Sequence, residues 1–290
     1  MMKKEFKTLV SFVIYLFLPL LVSYIYLRVF NKPYTKDDIN AVIWLNGVLD
    51  IVYFIIFVIL SIDIFKQSNE LIKERKTKIS STISVICMLV VLFYGVKIGS
   101  GIITVIISKT LGYETMSVNQ SLVENAFKAA PVFSFITGAF IVPVTEELMF
   151  RGAVRRIIKN KGLFIAVSGL IFGLVHVLKH DYLVFGILIL GYLIDMIIES
   201  EMSKGKKIKS IIMSTIMVLI VSVFALHIVS GGLLNVITNI NVGELILSIN
   251  YICAGLYLSF IYVKYDNIYI NIAVHGLNNL ISYILIFTSL

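Results

Sequence analysis

The sequence predicts an all-α protein, a polytopic bundle of transmembrane helices. Hydrophobic residues make up 59% of the 290 residues and charged residues only 14%, whereas soluble domains carry about 25% charged residues. The mean hydropathy is +0.96, and a soluble protein of this size would expose much of that apolar side chain on an aggregating surface. Long apolar runs recur along the whole chain. These features exclude a disordered chain, a collagen, a coiled coil and a disulfide scaffold.

Nine apolar runs are candidate membrane spans, since a span needs about 20 mostly apolar residues. They cover residues 9–30, 43–65, 83–108, 131–150, 163–178, 182–198, 211–229, 245–263 and 268–287. The sixth run is short and follows the fifth closely, so eight spans with a re-entrant segment is the alternative. The first run has no small-residue cleavage site after it, and we interpret it as a retained span rather than a signal peptide. In the long segment 109–130 we expect a short interfacial helix.

The net charge of +8 is explained by basic residues that flank membrane spans on the cytoplasmic side. With nine spans and a cytoplasmic N-terminus, the inside segments carry three times as many Lys and Arg residues as the outside segments. The sequence therefore predicts a multi-pass cell-membrane protein with an external C-terminus and the lipid bilayer as its surroundings. No basic stripe with interleaved aromatic residues is present, so we expect no nucleic-acid partner.

Several ionisable residues lie inside the apolar runs, where each is expensive and needs a partner or a function. Asp50 and Lys97 are interpreted as an ion pair or as the lining of a cavity. Asp195 and His227 are isolated in their runs, and we interpret each as an interior polar group with satisfied hydrogen bonds.

The densest polar group in an apolar run is the segment 146–151, with the sequence EELMFR. Glu147 and Arg151 are four residues apart, so on a helix they share a face and can form an ion pair. Glu146 lies about 100° around the helix and has no local charged partner. A buried carboxylate of this kind is a candidate general base, and the alternative is simply the charged end of a span.

Two further runs carry histidines. His176 follows Phe172 by four residues, and a lone histidine near the end of a span is usually structural. His275 and Asn279 are also four residues apart, so they share a helix face, and the small Gly276 allows close approach. An imidazole and an amide on one face can donate to a developing oxyanion. The alternative is hydrogen bonding between helices, which is common in membranes.

A depth calculation brings these residues together. We expect the helix that carries Glu146 to continue to Asn160 and a turn to follow at residues 160–162. At about 1.5 Å per residue, Glu146 and His176 would each lie roughly 21 Å from that turn. His275 and Glu146 would each lie roughly 13 Å deep from the cytoplasmic side. Three helices thus place a glutamate, a histidine, and a histidine with an asparagine at similar depth.

In this order, the motifs EExxxR, FxxxH and HxxxN on successive apolar helices resemble the CPBP intramembrane proteases, also called the CAAX protease and bacteriocin-processing or Abi family. The resemblance covers roughly residues 132–290 and rests on the segments VPVTEELMFRGAV, LIFGLVHV and NIAVHGLNNL. It divides the chain into N-terminal transmembrane helices, 1–130, and a protease-like core, 131–290. A basic loop and a span at about 199–244 are inserted in that core.

The resemblance implies an intramembrane endopeptidase that hydrolyses a peptide bond near the cytoplasmic membrane surface. It implies that Glu146 is the general base for a water that His176 helps to position. His275 and Asn279 would stabilise the oxyanion, and Glu147 with Arg151 would hold the helix geometry. Glu146, His176 and His275 could also supply three ligands to zinc, which leaves one position for water. The sequence leaves the zinc-bound and the metal-free, glutamate-activated water both open.

Three functions remain in competition. The first is the endopeptidase, whose partner is a peptide or membrane-protein substrate; in eukaryotic relatives the substrate is a prenylated C-terminal peptide. The second is a non-catalytic bacteriocin self-immunity or scaffold protein of the same family, which would tolerate loss of Glu146. The third is a small-molecule transporter, which would show inverted repeats, and the sequence contains none that we can find.

Overall fold

The structure is a computed structural model, and it describes residues 4–30, 39–75, 79–177, 186–196 and 241–289. Of these residues 93% are helical and none lies in a β-strand, which confirms the predicted all-α class. The predicted span at 211–229, His227 and most of the inserted segment 199–244 lie outside the described residues.

Ten helices account for the described part of the chain. The first five are α1 (Lys4–Phe30), α2 (Ile39–Leu60), α3 (Ile62–Glu74), α4 (Ile79–Leu111) and α5 (Val118–Ala129). The others are α6 (Pro131–Ile157), α7 (Lys161–Val177), α8 (Gly186–Met196), α9 (Val242–Tyr265) and α10 (Ile268–Ser289). The helix expected within the segment 109–130 is therefore present, as α5.

Four of these helices, α4, α6, α9 and α10, are long and apolar enough to cross a membrane. The bent pair α2–α3 would make five if it counts as one span. These are the helices of a multi-pass membrane protein. The count of eight to nine spans stays a prediction.

The second predicted span, 43–65, is divided between two helices. The chain bends by 62° at Ser61, between α2 and α3. Helix α3 is amphipathic, because Ile64 and Ser68 are buried while Lys66 and Lys73 are exposed. The apolar run hid this break, since Ile62, Ile64 and Phe65 continue it into α3 with only Asp63 between them.

Helix α6 is not a regular α-helix. Residues Thr137–Ile141 and Glu147–Ala153 form wider π-helical turns, and the helix ends at Ile157 rather than at Asn160. The predicted turn is also shifted, because α7 already begins at Lys161. Such π-helical turns are rare and are frequently found at functional sites, and the second one begins at the predicted site residue Glu147.

The described residues divide into two compact units. The first comprises the described parts of 1–96, 118–153 and 261–290, and the second comprises those of 97–117 and 154–260. The first unit thus draws on both sides of the predicted boundary between 1–130 and 131–290, and that boundary stays a prediction. Asp50 belongs to the first unit and Lys97 to the second.

In the first unit, α6 packs against α1, α2 and α10. Leu148, Met149 and Phe150 on α6 are almost completely buried, so the segment that carries the two glutamates lies inside the unit and not on its surface. The π-helical turn at Gly138 approaches α10 closely, because a side chain at Gly138 would collide with Tyr283. This close approach is what brings the polar face of α10 against α6.

In the second unit, α7 and α9 cross with their backbones almost in contact. A Cβ atom added to Gly255 on α9 would lie 2.7 Å from the carbonyl oxygen of Gly169 on α7, and small residues at such crossings are typical of membrane helices. Asp195 on α8 accepts hydrogen bonds of 2.7 Å from the backbone N–H groups of Lys159 and Asn160, just before α7. This confirms the interpretation of Asp195 as an interior polar group with satisfied hydrogen bonds.

Candidate active site

Glu147 and Arg151 form a completely buried ion pair on α6. Arg151 Nη1 lies 3.1 Å from Glu147 Oε1, and both side chains are 0% exposed. A charged group can be kept in such a place only when its partner and its hydrogen bonds are retained. The pair lies in a π-helical turn, yet the spacing of four residues still brings the two side chains together.

Helix α10 holds the same carboxylate from the opposite side. Asn271 Nδ2 donates to Glu147 Oε2 at 3.1 Å, and His275 Nδ1 lies 2.8 Å from Glu147 Oε1. Asn271 and His275 are four residues apart and therefore share a face of α10. Glu147 is thus bound by three side chains from two helices and is closed off from solvent.

Glu146 has different surroundings. Its side chain is 19% exposed, and its Oε2 atom lies 3.6 Å from His275 Nε2. At this distance the two groups do not form a direct hydrogen bond, but one small molecule can contact both. The prediction that Glu146 has no local charged partner leaves out this neighbour on α10 and the electrostatic interaction of Glu146 with Arg151 on α6.

The contact with Glu147 determines which nitrogen of His275 carries a hydrogen. An ionised carboxylate can only accept hydrogen bonds, so the 2.8 Å contact requires a hydrogen on Nδ1. The Nε2 atom, which faces Glu146, is then an acceptor in the neutral ring and a donor in the charged ring. His275 therefore links the buried glutamate to the partly exposed one.

Asn279 lies one helical turn beyond His275 on α10. Its Nδ2 atom donates to the carbonyl oxygen of Gly138 in the first π-helical turn of α6, at 2.9 Å, and its Oδ1 atom accepts from Asn278 Nδ2, also at 2.9 Å. These two contacts fix the orientation of the amide. The Nδ2 group has a second hydrogen besides the one donated to Gly138.

Two further polar side chains in this unit interact electrostatically with Glu146. They are Asp50 on α2 and Tyr283 on α10, and these two also interact with each other. Asp50 is half-buried. The surroundings of Glu146 are therefore more acidic than the sequence motifs alone indicate, and the alternative in which Asp50 lines a cavity is compatible with this position.

His176 belongs to the second unit, at the end of α7. Its Nδ1 atom contacts the carbonyl oxygen of Phe172 at 2.6 Å, and its ring stacks on Tyr251 of α9 at 5.1 Å. A carbonyl oxygen only accepts, so Nδ1 is the donor and the neutral ring keeps its lone pair on Nε2. The Phe172 ring, 4.5 Å away, covers the other part of the imidazole.

The predicted zinc site can be tested against the donors of the first unit. Zinc bonds to nitrogen and oxygen of about 2.0–2.1 Å place two ligands of a tetrahedral site roughly 3.3 Å apart, close to the 3.6 Å between Glu146 and His275. Within the described residues of this unit, however, no third His, Cys, Asp or Glu completes a metal-binding group. Zinc binding by Glu146, His176 and His275 therefore stays a prediction.

The structure thus brings five of the six predicted residues into the first unit, namely Glu146, Glu147, Arg151, His275 and Asn279. Sequence reasoning missed Asn271, although its position four residues before His275 was a signal on the same helix face. It also missed the contact of His275 with both glutamates, which no spacing within one helix can show.

Comparison with known proteins gives one match. No curated protein and no solved structure matches the chain. The match confirms the resemblance found from the motifs, and it includes EExxxR and FxxxH but ends before His275. Residues 128–204 match the sequence model of the family described as type II CAAX prenyl endopeptidase Rce1-like.

Proposed function

We propose that this chain is an intramembrane endopeptidase in which Glu146 activates the attacking water. The observation that carries the proposal is the contrast between the two adjacent glutamates. Glu147 is completely buried and bound by Arg151, Asn271 and His275, whereas Glu146 is partly exposed and faces His275 Nε2. A general base must reach both water and substrate, and of the two glutamates Glu146 is the one with access.

The reaction follows from these positions. Glu146 removes a proton from water, and the water oxygen attacks the carbonyl carbon of the scissile peptide bond. The negative charge that develops on the carbonyl oxygen is stabilised by the Asn279 amide, and by the His275 ring when Nε2 as well as Nδ1 carries a hydrogen. The C–N bond then breaks, and the proton on Glu146 passes to the leaving amine. The products are a new carboxylate and a new amine.

The substrate class is a peptide or a membrane protein whose scissile bond can reach a membrane-embedded site. The match to a prenyl endopeptidase family makes a prenylated C-terminal peptide the first substrate to test. A peptide library without a lipid group is the second.

The proposal is tested by comparing Glu146→Gln with Glu147→Gln in liposomes, with protein amounts matched. Gln keeps the shape of the side chain but cannot accept the proton, so we expect Glu146→Gln to fold and to lose about two to four orders of magnitude in turnover. Glu147→Gln leaves the Arg151 charge buried without its counter-charge, so we expect it to lower the melting temperature first.

Near-native cleavage by Glu146→Gln would show that the assignment of the base is wrong. If cleavage is absent from the native chain as well, and a biological phenotype survives the Glu146→Gln change, the immunity or scaffold function replaces the endopeptidase.

The role of zinc is tested separately by metal analysis of the purified chain. Zinc binding requires a content near one per chain that falls in His176→Ala and in His275→Ala, together with activity that is lost to a chelator and restored by zinc. Full activity of a metal-free preparation would leave the glutamate-activated water as the mechanism.

A further inference from the structure

We infer that Asn271 is a positioning residue that fixes the His275 ring by holding the Glu147 carboxylate in place. The inference rests on the proposed function for its kinetic consequence, but its structural part can be measured without any activity. Asn271 is the first residue of the segment NIAVHGLNNL but precedes its HxxxN motif. The resemblance gives it no role, and the family match ends at residue 204.

The geometry is that of a carboxylate whose two oxygens are occupied by different neighbours. Glu147 Oε2 accepts from Asn271 at 3.1 Å, while Oε1 receives both Arg151 and His275. Asn271 and His275 come from the same face of α10, so that helix contacts one oxygen with each side chain. The carboxylate plane is thereby fixed relative to the imidazole.

Without Asn271, nothing in this set would hold Oε2 on the side of α10. The planar guanidinium of Arg151 is well suited to bind both carboxylate oxygens at once. The carboxylate can then rotate towards Arg151, which weakens its contact with His275 Nδ1. Glu147 and Asn271 are completely buried, so water has little access to replace the missing donor.

The consequence for His275 is that Nε2 no longer has a fixed hydrogen-bonding role. The hydrogen on Nδ1 is required by the contact with Glu147, and it determines what Nε2 presents to Glu146 at 3.6 Å. If the contact weakens, the ring can exchange the hydrogen between its nitrogens and turn about its side-chain bonds. Asn271 therefore acts on the site through Glu147 and His275 and not through the substrate.

The direct test is the ¹⁵N spectrum of the histidine rings, since a nitrogen that carries hydrogen is distinguished from one that does not. The chain has four histidines, and the resonances of His275 are assigned by their loss in His275→Ala. In the native chain in detergent micelles we expect hydrogen on Nδ1 of His275. In Asn271→Ala, and in Asn271→Leu, which keeps the side-chain volume, we expect a second tautomer or exchange broadening of these resonances.

The kinetic test uses the liposome peptide assay. We expect both Asn271 variants to lower kcat about tenfold to a hundredfold with KM nearly unchanged. In the His275→Ala background we expect Asn271→Ala to cost almost nothing more, because the residue acts through His275. Asn250→Ala is the matched control, since it removes a 2.7 Å hydrogen bond between an asparagine and Ser100 in the second unit, and we expect native kcat.

Unchanged ¹⁵N resonances of His275 in folded Asn271 variants would overturn the inference, as would an equal cost of Asn271→Ala with and without His275. If neither variant folds, Asn271 has a purely structural role and the inference is wrong. A native chain without peptidase activity would contradict the proposed function, whereas the ¹⁵N comparison would still decide the positioning role.

Discussion

At the scale of single residues, Glu146 and Glu147 are adjacent in the chain and carry the same side chain, yet they have opposite surroundings. Glu147 is completely buried and bound by its partners, whereas Glu146 remains partly accessible. Adjacent residues on a helix point about 100° apart, so this separation follows from the position of the pair on α6. In the proposed function, one side chain of this doubled glutamate therefore holds the site together and the other acts on the water.

Replacing Arg151 tests the structural role of its ion pair with Glu147. Arg151→Ala leaves the Glu147 carboxylate buried without its counter-charge, although Asn271 and His275 still contact it. We expect a loss of roughly 3–5 kcal/mol in stability, measured as a lower melting temperature in detergent, with lower activity as a consequence. Arg28→Ala is the control, because Arg28 is exposed and its loss should change stability by less than about 0.5 kcal/mol. Unchanged stability with abolished activity would mean that Arg151 acts on the substrate.

At the scale of helices, the sequence was informative where a contact lies within one helix and uninformative where it depends on two. Glu147 and Arg151 could be paired from a spacing of four residues. The approach of His275 to both glutamates could not be predicted from spacing. It depends on how α10 is rotated about its own axis relative to α6, and close contacts such as that of Gly138 with Tyr283 set this rotation. The bend at Ser61 and the π-helical turns of α6 were also missed, because an apolar run has the same appearance whether its helix is straight, bent or widened.

The turn between α6 and α7 is stabilised by a side chain from α8, and this can be tested. Asp195 is 1% exposed and accepts from two consecutive backbone N–H groups, those of Lys159 and Asn160. Asp195→Ala leaves both donors unsatisfied, and we expect a loss of about 2–4 kcal/mol in stability. Asp195→Asn keeps one acceptor oxygen and should lose about half as much. Glu70→Ala, at an exposed position on α3, is the control. Equal melting temperatures for all three variants would contradict this role of Asp195.

At the scale of the whole molecule, the site is assembled from distant parts of the chain. The family match ends at residue 204, whereas His275, Asn279 and Asn271 lie on the last helix, α10. Helix α10 packs against α6 within the first unit, and this packing supplies the polar partners of both glutamates. The EExxxR and HxxxN motifs are thus far apart in sequence but in contact within the first unit.

In the same unit, several chain segments that the basic residues predict to be cytoplasmic contact one another. Lys7 near the N-terminus forms an ion pair of 3.0 Å with Asp63 at the start of α3. Ser68 on α3 accepts from the first N–H group of α10, that of Ile268, and Arg75 donates to the carbonyl oxygen of Tyr265. These segments therefore lie on one side of the unit. If any one of them is cytoplasmic, the others are too.

The length of helix α4 leads to a prediction about membrane orientation. Its 33 residues span about 50 Å at about 1.5 Å per residue, more than the hydrocarbon core of about 30 Å. The chain before α4 and the chain after it should therefore lie on opposite sides of the membrane. The excess of basic residues assigns the cytoplasm to the first side, so a cysteine at Lys73 should be internal and one at Thr115 external. Both positions are exposed, which makes them a matched pair.

We expect Thr115→Cys to react with an impermeant thiol reagent in intact cells and Lys73→Cys to react only after permeabilisation. Both variants are made in a Cys87→Ala, Cys253→Ala background, since the two native cysteines are free thiols. Equal labelling of both positions in permeabilised cells shows that each thiol is reachable, so a difference in intact cells reports the membrane side alone. Labelling of Lys73→Cys but not Thr115→Cys in intact cells would reverse the orientation. The segments around α3, and with them Ala153 on α6, whose carbonyl oxygen accepts from Thr8 of α1, would then face the outside.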